Sequence, residues 1–357
     1  MKRILVTGAG GAPSTNFIRS LRKAPEKFYV VGVDSDKYHL MRAEVDKKYL
    51  VPPATNPLYV KVINSIIEDE KIDFMHLQND MEISYVSENR EKIKTKLFLP
   101  SKKTIRICQN KFISFEKWKK AGIKTPNTML INSQADLKNA FKKYGGKVWI
   151  RFTTGAAGKG SLPAFGFDTA KNWINFHNGW GKFTAAEMLE KTSTTWMSIW
   201  HNGKLVTAQG RKRLYWEMAK VSPSGITGVT GTGVTVSDPL LDKIAIKAIK
   251  AIDKAPHGLF GVDLTYDSKG IPNPTEINIG RFFTTHQFFT ESGLNMPYIF
   301  TKLAFGEKIT PLKKKINPLK EGLLWIRGMD FYPILTEEKE VEKKVKELEK
   351  RKKSLQI

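Results

Sequence analysis

The chain has 357 residues, enough for two or three domains that each bury a core, and its 41% hydrophobic content excludes a disordered chain. A single cysteine, Cys108, excludes a disulfide framework and any multi-cysteine zinc site. With 59 Lys+Arg against 35 Asp+Glu the net charge is +24, which raises nucleic acid as a partner.

The start of the chain, with three apolar residues between Arg3 and Gly8, reads as a first β-strand and not as a secretory signal. No apolar run approaches the roughly 20 residues of a membrane helix, so the expectation is a cytoplasmic protein with no membrane partner. Residues 2–7 form an apolar run that ends in the turn Gly8–Gly11, and Phe17, Ile18 and Leu21 then share one helical face. A second apolar run, 28–34, ends in Asp34, and 74–77 reads as a later strand. Apolar strands separated by helices predict a parallel sheet covered on both faces. The spacing predicts a helix over 110–122, a strand over 128–131, a helix over 133–144 and a strand over 147–152. Ser133 and Asp136 fit a capping box in which Asp replaces the usual Glu. Further strands are predicted over 195–200, 204–209, 259–266 and 275–279, with a helix over 240–254. From Thr336 to the end the pattern is a Lys/Glu-rich helix, solvated along one edge or used as a dimer contact.

Two glycine clusters follow strands. Gly8-x-Gly10-x-x-Pro13 opens a helix, with Asp34 closing the next strand, as in a dinucleotide fingerprint whose third glycine is replaced by proline. It reads as a close-packing or substrate-binding turn first and as an NAD(P) site second. Gly155-Ala156-Ala157-Gly158-Lys159-Gly160-Ser161 follows Arg151 and offers small residues and N–H donors to a triphosphate. By itself this loop reads equally well as a hairpin turn, and it lacks the P-loop ending.

The segment 261–281 decides between these readings. Glu276 and Asn278, two apart on one strand, share a face, and Asp263 lies on the neighbouring run. Two carboxylates and an amide oxygen form a hard oxygen set suited to Mg²⁺ shared with phosphates, and Arg281 follows within reach of a phosphoryl oxygen. Flanking Val262, Leu264, Ile277 and Ile279 argue against a merely solvated hairpin.

Together these residues resemble the ATP-grasp superfamily, in particular its branch like the carbamoyl-phosphate synthase large chain, over roughly residues 1–330. The resemblance implies a mixed α/β and α+β fold. A Rossmann-like pre-ATP-grasp domain (1–105) would precede a two-lobed ATP-grasp domain (106–330), whose small lid lobe covers about 125–188; a charged C-terminal helix (331–357) would follow. It implies ATP and Mg²⁺, or Mn²⁺ in its place, as cofactors. Lys111 and Arg151 would bind phosphates, Arg151 standing where the family has lysine. Gly155, Gly158, Lys159, Gly160 and Ser161 would cover them; Glu187 would meet the adenine amino group, with backbone atoms of Met188 and Leu189 beside it. Asp263, Glu276 and Asn278 would hold the metal. Arg281, displaced one residue by Gly280, would join Arg151 in stabilising the transferred phosphoryl group. The implied chemistry is ADP-forming ligation of a carboxylate, through an acyl phosphate, to an amine or a thiol.

Other features stay open on sequence alone. Arg211 and Arg213 point the same way, toward an anionic substrate, toward the phosphates or toward solvent, and the stretch 222–233 offers N–H groups to a substrate carboxylate. His286 is as readily a packed histidine as a ligand, and Cys108 a small buried residue. The rival readings are an NAD(P)-dependent oxidoreductase, a nucleic-acid-binding protein and a nucleotide-binding protein without catalysis. The basic excess is dispersed in short groups such as Lys47-Lys48 and Lys313–Lys315, which disfavours a nucleic-acid partner. The expected partners are a small carboxylate and an amine, with a homodimer compatible with the terminal helix.

Overall fold

In the computed structural model of the protein, residues 1–155, 158–328 and 334–356 are described; Ala156 and Ala157 of the second glycine loop, the boundary at 330–331 and the last residue of the chain, Ile357, lie outside them. The chain begins with β1 (Lys2–Thr7), α1 (Ala12–Arg22), β2 (Phe28–Asp34), α2 (Lys37–Met41), β3 (Lys47–Leu50), α3 (Tyr59–Asp69), β4 (Phe74–His76) and α4 (Asp80–Glu88). Its four strands are parallel in the order β3-β2-β1-β4. The apolar runs seen in the sequence are buried on both faces, since Ile4, Leu5, Val6, Val30, Val31 and Val33 are all sealed from solvent. Ligands of such open parallel sheets meet the carboxyl ends of the strands. There stand Gln78, Asn79 and Asp80, directly after β4.

Two helices, α5 (Lys102–Cys108) and α6 (Lys111–Lys120), lead out of this unit. Asn110 caps α6, its side chain accepting from the N–H groups of Phe112 and Ile113. A four-stranded antiparallel lobe follows: β5 (Thr128–Ile131), α7 (Gln134–Lys143), β6 (Val148–Phe152), β7 (Leu162–Ala164), α8 (Phe167–Phe176) and β8 (Phe183–Ala186), in strand order β5-β8-β6-β7. The capping box of Ser133 and Asp136 is present at α7. Ile131, Leu137, Val148, Ile150, Ile174 and Phe183 pack on one another in a core of the lobe's own. That separateness is what a lobe needs in order to move against its neighbours.

The remainder centres on a six-stranded sheet in the order β13-β12-β9-β10-β11-β14. Its elements are β9 (Ser193–His201), β10 (Lys204–Trp216), β11 (Thr230–Val236), α9 (Pro239–Ile252), β12 (Gly258–Tyr266), β13 (Pro272–Ile279), α10 (Gln287–Glu291), α11 (Met296–Ala304) and β14 (Leu324–Ile326). Leu241, Ala245 and Ile249 of α9 join the core that also holds Trp118, Trp196, Phe260 and Val262. The aromatic run after Arg281, with Phe300, closes a second core with Ile4, Val6 and Phe17 of the first unit, so the two halves share buried surface. β10 continues to Trp216 instead of ending near 209, because β9 and β11 flank it on both sides and irregular register between Arg213 and Trp216 lets it bend. The stretch 222–233, read as one loop, divides at Thr230, where β11 begins. Finally α12 (Glu338–Gln356) packs against the first unit, burying Val341 and Leu348 and pairing Arg351 with Asp69.

Candidate active site

Register brings the oxygen donors together. Asp263 of β12 stands opposite Glu276 of β13, and Asn278 follows on the same face. The Asn278 amide donates to Asp263 Oδ2 at 3.0 Å, while Asp263 Oδ1 accepts from the Thr195 hydroxyl at 2.6 Å and from Arg213 Nη2 at 2.7 Å. Burial on its own would raise the Asp263 carboxyl, but Arg213, the Thr195 hydroxyl and Arg211 together hold it below the ordinary carboxylate range. It is therefore ionised at neutral pH, as a metal ligand must be.

Each donor in this group faces a cation. Lys111 Nζ lies 3.4 Å from Glu276 and donates to the Gly155 carbonyl at 2.5 Å, which ties the first residue of α6 to the glycine loop. Arg281 Nη2 donates to Asn278 Oδ1 at 2.6 Å, and the same guanidinium grips both oxygens of Asp80, at 2.7 and 3.1 Å. Gly280, at a φ of 73°, takes up the extra residue by turning the chain at the end of β13, and this returns Arg281 to the face of Asn278. Burial opposes the charge on Arg281, yet Asp80 outweighs it and raises the pKa. Arg151, at the end of β6, crosses to the Thr275 carbonyl at 2.9 Å; burial lowers its pKa while Glu276 and Asp263 support the charge. A cavity of about 380 Å³ opens between these parts, lined by Asp80, Cys108, Lys111, Gly155, Glu276 and Asn278. First unit, connecting helices, lobe and large sheet thus each contribute a wall.

The donor set suits Mg²⁺ on chemistry: two carboxylates and an amide oxygen are hard donors, arranged on one face beside a cavity. No cluster of three or more His, Cys, Asp or Glu with metal-site geometry occurs among the described residues, so any ion here relies on the amide and on oxygens from its substrate.

Other expected site residues are placed less directly. Gly158 sits with φ 68° where an added Cβ would fall 2.6 Å from the Ile226 carbonyl, so the glycine loop touches the segment between β10 and β11. Gly160 gives its carbonyl to Trp173, Ser161 is buried and Lys159 is exposed. Glu187 accepts at both oxygens from Asn127, from the backbone N–H and the side-chain amide, each at 2.9 Å. The strand pairing of β5 with β8 carries Asn127 alongside it, and each carboxylate oxygen keeps a lone pair for a further donor. Met188 and Leu189 lie in the link from β8 to β9.

Several open readings close. Arg211 and Arg213 are not a solvated strand; Arg211 is 1% exposed and both guanidinium groups meet at the Thr195 hydroxyl. His286 is a packed core histidine: its Nδ1–H donates to the Phe283 carbonyl at 2.7 Å, and burial pulls its pKa to about 3. Cys108 is buried, and burial pushes its thiol well up. The first glycine turn packs closely, as its first reading expects. Asp34 spends its carboxylate on the N–H groups of Gly10 and Asp36, and a Cβ at Gly10 would lie 1.8 Å from the His39 carbonyl, so α2 closes over the turn. Sequence reasoning missed Asp80 and Thr195. The polar run Gln78-Asn79-Asp80 at the carboxyl end of a parallel strand was a usable signal for the first; a lone threonine in an apolar strand offered none.

The arrangement has counterparts among known proteins. Residues 4–97 match the family model described as the PylC-like N-terminal domain. No curated protein matches the sequence. Among solved structures, the biotin carboxylase domain of the 2-oxoglutarate carboxylase of Hydrogenobacter thermophilus, in complex with MgADP and bicarbonate, is 17% identical, with 90% of this chain and 73% of that chain covered at a TM-score of 0.67. N5-carboxyaminoimidazole synthetase from Staphylococcus aureus, complexed with ADP, is 15% identical over 87% of this chain and 78% of that one, again at 0.67. An L-amino acid ligase from Bacillus licheniformis gives 12%, the same coverages and 0.62. The chain has the ATP-grasp fold. In ATP-grasp terms the parallel unit stands first, and the two antiparallel sheets enclose the cleft that holds Lys111, Arg151 and Glu276.

Proposed function

We propose that this ATP-grasp protein is an ATP- and Mg²⁺-dependent ligase that activates a carboxylate as an acyl phosphate and joins it to an amine, releasing ADP and phosphate. Residues 1–105 would form the pre-ATP-grasp domain and 106–330 the ATP-grasp domain, with 125–188 as lid. One observation carries the reading: Lys111, Gly155, Glu276 and Asn278 line one cavity, and Asp263 and Arg281 are both hydrogen-bonded to the Asn278 side chain in its wall. The ligands named for the similar structures, ADP with magnesium and bicarbonate among them, support it.

Phosphoryl transfer needs positioning and positive charge more than covalent help. A carboxylate oxygen attacks the terminal phosphorus of ATP and the bond to ADP breaks; an amine then attacks the acyl carbon and phosphate leaves. Mg²⁺ held by Asp263, Glu276 and Asn278 would supply charge to the phosphate oxygens. Lys111 and Arg151 bind phosphates, and Arg281, anchored on Asp80 and Asn278 through Nε and Nη2, keeps its Nη1 N–H groups for the transferred group. The lid loop at Gly158, resting on Ile226, keeps water from an acyl phosphate. No side-chain nucleophile is called for.

The test is ADP release across a panel of amino acids and small carboxylates. Glu276→Ala is expected to lower turnover by more than 100-fold with the melting temperature within a few degrees of the parent; unchanged turnover rejects the assignment. No helix among the described residues is long and apolar enough to cross a membrane.

A further inference from the structure

Arg211 is the largest charged group sealed inside the large sheet, and it has no carboxylate. Its Nη1 donates to the hydroxyls of Thr230 (3.3 Å) and Thr285, its Nη2 to that of Thr195 (3.0 Å), and its guanidinium lies 4.4 Å from the Phe283 ring centre. Space for it is made by Gly233, where a Cβ would fall 2.8 Å from Arg211 Cδ. A guanidinium has five N–H donors. Three are used here, and the buried Nε has no partner. Neighbouring charges make the deficit larger: Arg213 and Arg327 both repel Arg211, and only Asp263, already held by Arg213, offsets them.

The hydroxyls complete the picture. The Thr195 hydroxyl donates to Asp263. Thr230 and Thr285 accept from Arg211 and donate to nothing among the described residues, although both are at most 2% exposed. Two hydroxyl protons, Nε–H and a remaining Nη2–H therefore surround one buried positive charge with no acceptor to receive them. Burying a charge this way is costly unless a counter-ion arrives.

We propose that Arg211, with Thr230 and Thr285, is a cradle for an oxyanion of the substrate, a carboxylate or a phosphate group, recognised on its guanidinium edge and by the two hydroxyls. The proposal rests on the ligase reading for the identity of the bearer: a substrate with an anionic group seated beside Asp263 but bound by a second set of cations. It selects anionic over neutral or cationic substrates. Arg213 and Arg327 act as positioning charges that deepen the cradle. The segment between β10 and β11, residues 217–229, holds no buried residue and rejoins the sheet at Thr230, so its displacement would admit the ligand.

The test is thermal denaturation of the full chain titrated with acetate or with inorganic phosphate, ionic strength being held constant with chloride. For the parent, one of these anions is expected to raise the melting temperature with concentration, and which one does so identifies the oxyanion. Arg211→Met is expected to fold, since it removes an uncompensated buried charge, and to lose the anion effect. Thr285→Val keeps the guanidinium and is expected to weaken the effect at least tenfold in concentration; it carries the test if Arg211→Met does not fold. No protection of the parent by either anion, or equal protection of parent and Thr285→Val, overturns the cradle. Anion protection without ATP turnover keeps the cradle and rejects the ligase; turnover with no Arg211-dependent protection does the reverse.

Discussion

Glu82 keeps its proton where a solvated carboxyl would have lost it. Burial raises its pKa to about 7, against hydrogen bonds from Thr7 and the Tyr59 hydroxyl that favour the charged form. The folded state therefore holds a proton that the unfolded chain releases near its ordinary value of 4.5. The stability this contributes is complete below pH 4.5 and is lost as pH rises through about 7. His76 and His286 act in the other direction: burial pulls both to about 3, so their contribution is complete above 6.5 and lost on acidification. Glu82→Gln leaves the histidines alone and removes one arm. Relative to the parent, its stability is expected to rise by about 3 kcal/mol between pH 4.5 and 7.5, measured from urea midpoints. Parallel curves for the two proteins would show that Glu82 titrates normally. None of this was legible in the sequence, where Glu82 reads as one more helix acid; the closing of α4 against β1 and Tyr59 makes it unusual.

At the scale of elements, the hairpin of β12 and β13 was the most readable part of the chain. Period-two alternation alone places Glu276 and Asn278 on one face, and no packing detail changes that. The glycine loop was the least readable, because its sequence permits a turn as well as a phosphate cover. Contact decides its behaviour: Gly158 meets the Ile226 carbonyl, whereas Gly122, at a comparable φ of 67°, has open space where a Cβ would go. Gly158→Ala is accordingly expected to raise KM for ATP by about 5- to 30-fold, the equivalent of ~1–2 kcal/mol of strain plus lost lid contact. Gly122→Ala controls for backbone strain alone and is expected to leave KM unchanged. Equal KM values in the two variants would mean that the lid loop does not rest on Ile226 during catalysis.

For the whole molecule, the charge of +24 takes on structure. Lys111, Arg151, Arg213 and Arg281 gather around Asp263, Glu276 and Asn278, and this concentration of cations within one cleft is suited to a nucleotide triphosphate. Much of the rest lies on exposed lysines, several paired with nearby acids, as Lys94 is with Glu68. Mg·ATP is expected to raise the melting temperature by several degrees and NADH to leave it unchanged. That contrast follows from the closed first glycine turn and the open cavity at Glu276. Protection by NADH instead would return the oxidoreductase reading. Any affinity for DNA is expected to vanish as salt rises to physiological strength, since the lysine excess is dispersed in short groups along the chain.

What the sequence determined by itself was local: which runs are strands, which face each side chain takes, and that three oxygen donors and an arginine share a hairpin. Those follow from periodicity and side-chain chemistry, which act over a few residues. The tertiary structure alone decided that Asp80 anchors Arg281, that Glu187 turns to Asn127, and that Arg211 is buried without a counter-ion. Each depends on which strands neighbour one another; β9 between β12 and β10 puts Thr195 within reach of both Asp263 and Arg211. Strand order is set by burial summed over the whole chain, and no short stretch of sequence contains that sum.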